Sequence, residues 1–387
     1  MYCYTCGFKL EEGDKICPNC GTKLDDLLAE KNKNTDQKDG SIPLTTKAAK
    51  KMNDFADQLN AATGGEGHVE LRFRDFFVNV FKRHTEEEQN EIFACGSEKT
   101  TPAPQDIARE WPKPWYYTRL FITLLATTLL LYFIFTNGGT AIALPGLLFV
   151  GAMLGPMPIL MFFFEVNLPR NISIITVIRM FFLGGCLSII TILLFYRIMP
   201  ESSGEIVSAL LVGVVEEAGK AAVIAYYIRK YTNKRYIFNG LLIGGAIGAG
   251  FAVIESSAYI YAGCMELYDE LFSYGVRFNA DALMDILTIR GFFALGGHVA
   301  WGAVTGAAII IALNHEDFKW DVLSKPVFLK FLLINIVLHG VWNMNPIILP
   351  LMIKYVSLCC IVWIVIVIIL NRGLSEINEI DEASPSM

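Results

Sequence analysis

Between residues 116 and 370 the chain alternates long apolar runs with short polar connections, and that pattern leaves few folds open. About 20 apolar residues wound as a helix cross the hydrocarbon core of a bilayer, and a helix satisfies its own backbone there. Eight spans are read, at roughly 116–135, 141–165, 172–196, 206–228, 237–262, 291–313, 326–345 and 347–370. The second holds Pro145, Pro156 and Pro158, and the third carries Arg179, which either faces other helices or snorkels. The expected fold is an all-α polytopic membrane protein. Composition agrees: 53% of the 387 residues are hydrophobic and only 18% are charged, with a mean hydropathy of +0.44. A net charge of −6 gives no basis for nucleic-acid binding.

The loops set an expected orientation. Arg229, Lys230, Lys234 and Arg235 crowd the connection between the fourth and fifth spans, which places it in the cytoplasm. The next connection carries Glu266, Asp269, Glu270, Asp281 and Asp285, as expected outside. With eight spans, both termini are then cytoplasmic in a bacterial cell membrane.

Residues 1–24 contain Cys3-Tyr-Thr-Cys6-Gly7 and Cys17-Pro-Asn-Cys20-Gly21, two Cys-x-x-Cys turns separated by ten residues. Each turn supplies two thiolates, and four thiolates complete a closed tetrahedral Zn site. So short a segment cannot build a core, so the metal supplies its folding energy. It resembles the short zinc ribbons at the start of many bacterial membrane proteins, and a reduced ribbon fits a cytoplasmic N-terminus. Its place before a linker suits docking to a cytoplasmic protein partner. The other five cysteines, Cys95, Cys186, Cys264, Cys359 and Cys360, suggest no disulfide framework. The polar, cysteine-bearing start does not read as a signal peptide.

Residues 25–115 read as a cytoplasmic linker, with a short helix near 46–59. Phe73, Phe76, Phe77, Val80 and Phe81 follow helical spacing among Arg72, Arg74, Lys82 and Arg83. They predict a basic amphipathic helix that lies in the membrane interface or docks under the bundle. Trp111, Trp115, Tyr116 and Tyr117 form an aromatic belt before the first span. Residues 116–370 form the membrane domain, and 371–387 a cytoplasmic tail.

The fourth span is the unusual one, because Glu216, Glu217 and Lys220 interrupt it. Each charge at mid-membrane costs at least about 2.5 kcal/mol. Lys220 lies four residues after Glu216, which predicts a pair on one helical face, while Glu217 projects about 100° away and needs another partner. The fifth span adds Glu255, after Gly240, Gly244 and Gly248, a ridge that admits a close neighbour. The sixth adds His298 with Gly302 and Gly306, and the seventh adds His339 and Asn343, four residues apart. At 1.5 Å per residue these groups fall in one layer, roughly 9–15 Å below the outer surface. Two carboxylates and two imidazoles can deprotonate water, orient it and stabilise an oxyanion. The simpler alternative is an ion pair that only joins helices.

Glu216-Glu217-x-x-Lys220, Phe251-x-x-x-Glu255, the lone His298 and His339-x-x-x-Asn343 together resemble the PrsW-type intramembrane peptidases. That family is related to the CAAX prenyl endopeptidases and bacteriocin-immunity proteins. The resemblance covers about residues 200–345 and leaves the ribbon and linker outside. It implies an endopeptidase that cuts a membrane-tethered protein, anti-sigma-factor-like, on its extracytoplasmic side. It also implies roles: Glu216 or Glu217 as base, His298 holding the water, His339 with Asn343 facing the oxyanion. Glu255 orients a histidine or ligates a metal, and Lys220 balances charge. A catalytic metal stays open. The His-Glu-x-x-His helix is absent, and one base beside a second buried carboxylate suffices without a metal, which is the form favoured here. Two other classes compete. Buried Glu, Lys and His relays also mark ion-coupled transporters, though no inverted repeat is evident. A non-catalytic sensor or immunity-type protein would keep the same scaffold.

Overall fold

The computed structural model describes residues 44–138, 141–199, 204–231, 235–274, 280–345 and 350–382. Cys3, Cys6, Cys17 and Cys20, the first part of the linker (25–43), Lys234 and the middle of the acidic loop lie outside the described residues. The chain divides into two units, Met1–Met52 and Asn53–Met387. Of the first, only the opening part of helix α1 (Leu44–Ala62) is described, and this helix contains the expected 46–59 segment.

Further helices are α2 (Glu86–Phe93), α3 (Tyr116–Gly138), α4 (Leu144–Met153), α5 (Pro156–Glu165), α6 (Ile174–Arg179) and α7 (Gly185–Tyr196). They continue with α8 (Glu205–Lys230), α9 (Ile237–Tyr274), α10 (Ala280–Leu287), α11 (His298–Leu313), α12 (Pro326–Asn343) and α13 (Leu351–Glu382). No strand occurs among the described residues. Among the described residues seven stretches are long and apolar enough to cross a membrane: α3, α4 with α5, α6 with α7, the first part of α9, the run through α11, α12 and α13. This is one fewer than the eight read from sequence. The missing one is α8, 26 residues long, in which every 18-residue window holds more than two charges.

Parity supplies α8 as the eighth crossing. The Arg372 guanidinium, in α13, donates to the Asn60 carbonyl at 2.8 Å and to Thr63 Oγ1 at 2.8 Å. Residues 60 and 372 are therefore on one side of the bundle. Seven crossings would put them on opposite sides; α8 makes the number even. Arg235 pairs with Asp317 at 2.7 Å, and Glu376 accepts the Ile237 N–H at 2.8 Å, so these loops share that side. Residues 371–382 continue α13, and Gly373 and Glu376 pack against the start of α9.

The core is a seam between α9 and α11. A Cβ on Gly244 would collide with the Gly302 carbonyl oxygen, one on Gly240 with that of Gly306, and one on Gly248 with that of His298. Only hydrogen at these positions lets two backbones come so close. The seam therefore sets the height of His298 against α9. Asn335 of α12 ties a third helix in, donating to the Trp301 carbonyl at 2.8 Å and to Thr305 Oγ1 at 2.9 Å.

Elsewhere the regular spans are broken. Pro156 follows a break at Leu154–Gly155 in the second span, because proline has no N–H to continue the ladder. The sixth span is not one helix from residue 291. A π-turn (Thr288–Phe292) and a 3₁₀ turn (Phe293–Gly296) precede α11, so His298 opens the helix instead of lying two turns inside it. Arg179 is exposed on the bundle surface, the snorkelling alternative.

The expected 73–81 helix is a five-residue 3₁₀ turn, Phe73–Phe77, followed by turns. The reason is tertiary. Phe76 is buried, stacked on Trp111 at 5.8 Å and edge-on to Phe162 at 4.9 Å, while Phe77 and Phe81 stay exposed. Of the aromatic belt, Trp111 and Trp115 are buried, and Trp115 stacks on His84 at 3.5 Å. The N–H groups of Trp115, Tyr116 and Tyr117 all donate to the Glu165 carboxylate at 2.8–2.9 Å. That carboxylate satisfies the open N-terminus of α3. Near α1, Asp57 accepts the Val69 N–H at 2.8 Å and faces the His68 ring. These contacts hold its carboxyl below the ordinary range.

Candidate active site

Helix α8 carries Glu216, Glu217 and Lys220 into the bundle, and Gly213, one turn earlier, lets α12 approach. A Cβ there would lie 2.9 Å from the Ile336 carbonyl oxygen and 3.3 Å from the Gly340 nitrogen. That close crossing brings His339 onto the glutamates. Glu217 and Lys220 are completely buried, and Glu216 and His339 nearly so.

The contacts form a chain. Lys220 Nζ donates to Glu217 Oε1 at 2.5 Å and to His298 Nδ1 at 2.8 Å. His298 Nε2 lies 2.8 Å from Glu255 Oε2, which also accepts from Arg290 Nη1 at 2.9 Å. On the other side His339 Nδ1 lies 2.9 Å from Glu217 Oε1, and its Nε2 lies 3.7 Å from Glu216 Oε2. The Tyr196 hydroxyl donates to Glu216 Oε1 at 3.2 Å. The sequence pairing of Lys220 with Glu216 is thus corrected to Lys220 with Glu217, three residues apart. Spacings of three and four both bring side chains together on a helix. Tyr196, from another helix, takes Glu216 instead.

Partners fix the imidazole tautomers. His298 Nδ1 accepts a hydrogen bond from Lys220, and its Nε2–H donates to Glu255. His339 donates Nδ1–H to Glu217, which leaves Nε2 a bare acceptor facing Glu216 Oε2, itself buried without a hydrogen-bond partner. Two acceptors facing each other in a buried site favour a cation or a donor between them. One ligand atom from each of Glu216, His298 and His339 lies within 4.8 Å of the others. Two imidazoles and a carboxylate are a donor set for Zn or a similar divalent ion, with a position left for water. The carboxylates behind both rings, Glu217 and Glu255, are the usual means of orienting a metal-bound histidine. Were such an ion held, His298 would offer Nδ1 in place of its Lys220 hydrogen bond, and Lys220 would keep Glu217. The residues therefore fit a divalent metal, whereas the sequence reading had favoured a metal-free site.

The structure brings together Glu216, Glu217, Lys220, Glu255, His298 and His339. It does not bring in Asn343, which is exposed at the last position of α12 and has no hydrogen bond to the cluster among the described residues. Helix α12 ends there, so one more turn carries the amide past the cluster. Sequence reasoning missed Tyr196, Arg290 and Trp301. Trp301 stacks on His339 with ring centroids 4.6 Å apart and meets His298 edge-on at 5.0 Å. Its position three residues after His298, on the same helical face, was a usable signal. Arg290, over the Tyr259 ring at 3.5 Å, had only its place just before a span to mark it.

Carboxylates and imidazoles from four helices, α8, α9, α11 and α12, thus meet in one largely buried cluster. The chain belongs to the PrsW family: its residues 173–370 match the description "PrsW family intramembrane metalloprotease". It is also 24% identical over 203 residues to the Protease PrsW of Oceanobacillus iheyensis, covering 51% of this chain and 82% of that relative. No solved structure matches it significantly. The protein is a multi-pass membrane peptidase, so its substrate is a protein, and hydrolysis takes the place of the transport reading.

Proposed function

We propose that this peptidase cuts a membrane-tethered, anti-sigma-factor-like protein within the outer half of the bilayer, using water activated between Glu216, Glu217, His298 and His339. The observation that carries the reading is the convergence of Glu216, His298 and His339 in front of Glu217. Glu216, His298 and His339 would hold a divalent metal, which when bound supplies Lewis acidity and a more acidic water. Glu217 is the base. Its Oε1 anchors Lys220 and His339, and its Oε2 is buried and unpartnered, ready to accept a proton. Glu255 and Arg290 hold the His298 ring, and Lys220 offsets the negative charge of three carboxylates. The basic residues Arg229, Lys230 and Arg235 support a cytoplasmic side shared by residue 60 and the end of α13. In the same reading Cys3, Cys6, Cys17 and Cys20 hold one structural Zn, and the ribbon docks a cytoplasmic partner.

The test is purified protein with a single-pass substrate in detergent or liposomes. Glu217→Gln keeps an oxygen for Lys220 and His339 but removes the base, so turnover falls at least about 100-fold. Chelation abolishes cleavage, and added Zn or Co restores it. Metal analysis finds two ions per chain in the wild type and one after Cys3→Ser with Cys6→Ser. Normal cleavage by a Glu216→Gln, Glu217→Gln double variant would sink the mechanism, and activity that survives exhaustive chelation would return it to a metal-free form.

A further inference from the structure

Trp301 has a donor with nothing to donate to. The side chain is 1% exposed, in the first turn of α11 beside both histidines, yet its indole Nε1–H has no hydrogen-bond partner. Buried tryptophans usually find an acceptor for this group, and an unmatched donor away from water is unfavourable. The ring itself is firmly held. It stacks on His339 at 4.6 Å, meets His298 edge-on, and packs edge-on against Trp342 at 5.9 Å. Trp301 also lines a small cavity of about 20 Å³ together with His298, Arg290, Gly297 and Trp342. That is room for roughly one water-sized group. Asn343, the side chain that the family resemblance assigns to the oxyanion, is exposed at the end of its helix.

We propose that the Trp301 indole N–H is an oxyanion donor of this peptidase, binding the scissile carbonyl oxygen of the substrate. The proposal rests on the hydrolytic reading above. The water oxygen bonds to the carbonyl carbon, and the π pair of that carbonyl moves onto its oxygen, which becomes an anion. One water proton passes to Glu217 Oε2. Trp301 donates a hydrogen bond to the anion and keeps its proton. When the intermediate collapses, the C–N bond breaks, the carbonyl reforms, and the departing amine takes the proton from Glu217. The products are an acid and an amine, with no other reactant needed. A donor fixed beforehand by stacking needs no reorganisation when charge develops, and low polarity around it strengthens the bond. The unsatisfied N–H of the free enzyme is then matched only when substrate is present.

Two replacements separate this role from packing. Trp301→Phe removes the N–H and part of the ring. Replacing Trp301 by 3-benzothienylalanine keeps the bicyclic shape and puts sulfur where the N–H was. With the substrate used above, kcat falls by about 100- to 1000-fold for the benzothienyl form, the usual loss for one oxyanion donor, while KM stays near the wild-type value. Its thermal midpoint holds or rises, because a donor without a partner has been removed. A purely structural tryptophan gives the benzothienyl form wild-type kcat, and that result overturns the proposal. So does a loss of kcat that only follows a lowered midpoint. Wild type and Glu217→Gln are run alongside. Cleavage by the first and not the second keeps the hydrolytic reading whatever Trp301 does, and a wild type that cuts nothing overturns both.

Discussion

Helices α3 and α9 have nearly equal hydropathy, yet 6% of the most apolar stretch of α3 is buried against 94% in α9. The difference lies in side-chain size. Helix α3 carries large residues all round, with Ile122, Leu129, Leu130 and Phe133 exposed, and is tied down by the Glu165 carboxylate at its N-terminus. Helix α9 carries Gly240, Gly244 and Gly248 on one face and is pressed against the backbone of α11. Apolar character makes both of them spans. Small residues decide which becomes the centre, and the centre is where buried charge can find partners.

The largest expected effect probes those partners. Lys220→Met leaves Glu217 buried without its cation and His298 without its donor, so stability falls by about 3–5 kcal/mol, as for other broken buried pairs. Unfolding in detergent measures it, and wild-type stability would mean that the pair is not buried as described. Next comes the seam itself. Gly244→Leu drives a side chain into the Gly302 carbonyl and costs about 1–3 kcal/mol or more. On α3, Ile122→Ala stays within about 0.5 kcal/mol, as expected for an exposed site. Equal losses at the two positions would erase the contrast between the helices.

The smallest effect is expected at Asn343. As an oxyanion donor it would cost roughly 100-fold or more on replacement by alanine. Exposed at the helix end, it leaves turnover close to wild type. A large loss of kcat with unchanged stability would restore the amide to the site and weaken the case for Trp301.

The sequence by itself determined the class of fold, because runs of about 20 apolar residues have few alternatives in a bilayer. It also picked out Glu216, Glu217, Glu255, His298 and His339, since buried ionisable groups are too costly to be incidental. The glycine ridge on α9 and its counterpart on α11 were legible for the same reason, as a periodicity of small residues. Partner choice was not legible. Lys220 sits within reach of both Glu216 and Glu217 along one helix, and only the packed bundle, with Tyr196 on Glu216 and His298 beside Lys220, decides that it pairs with Glu217. Likewise Phe73–Phe81 has helical spacing, but Phe76 finds Trp111 and Phe162, and the chain turns instead. Asn343 lies on the face of His339, yet the end of α12 carries it past the cluster. Spacing fixes which residues share a helix face; which helix ends where, and what stands across from that face, is settled only when the bundle packs.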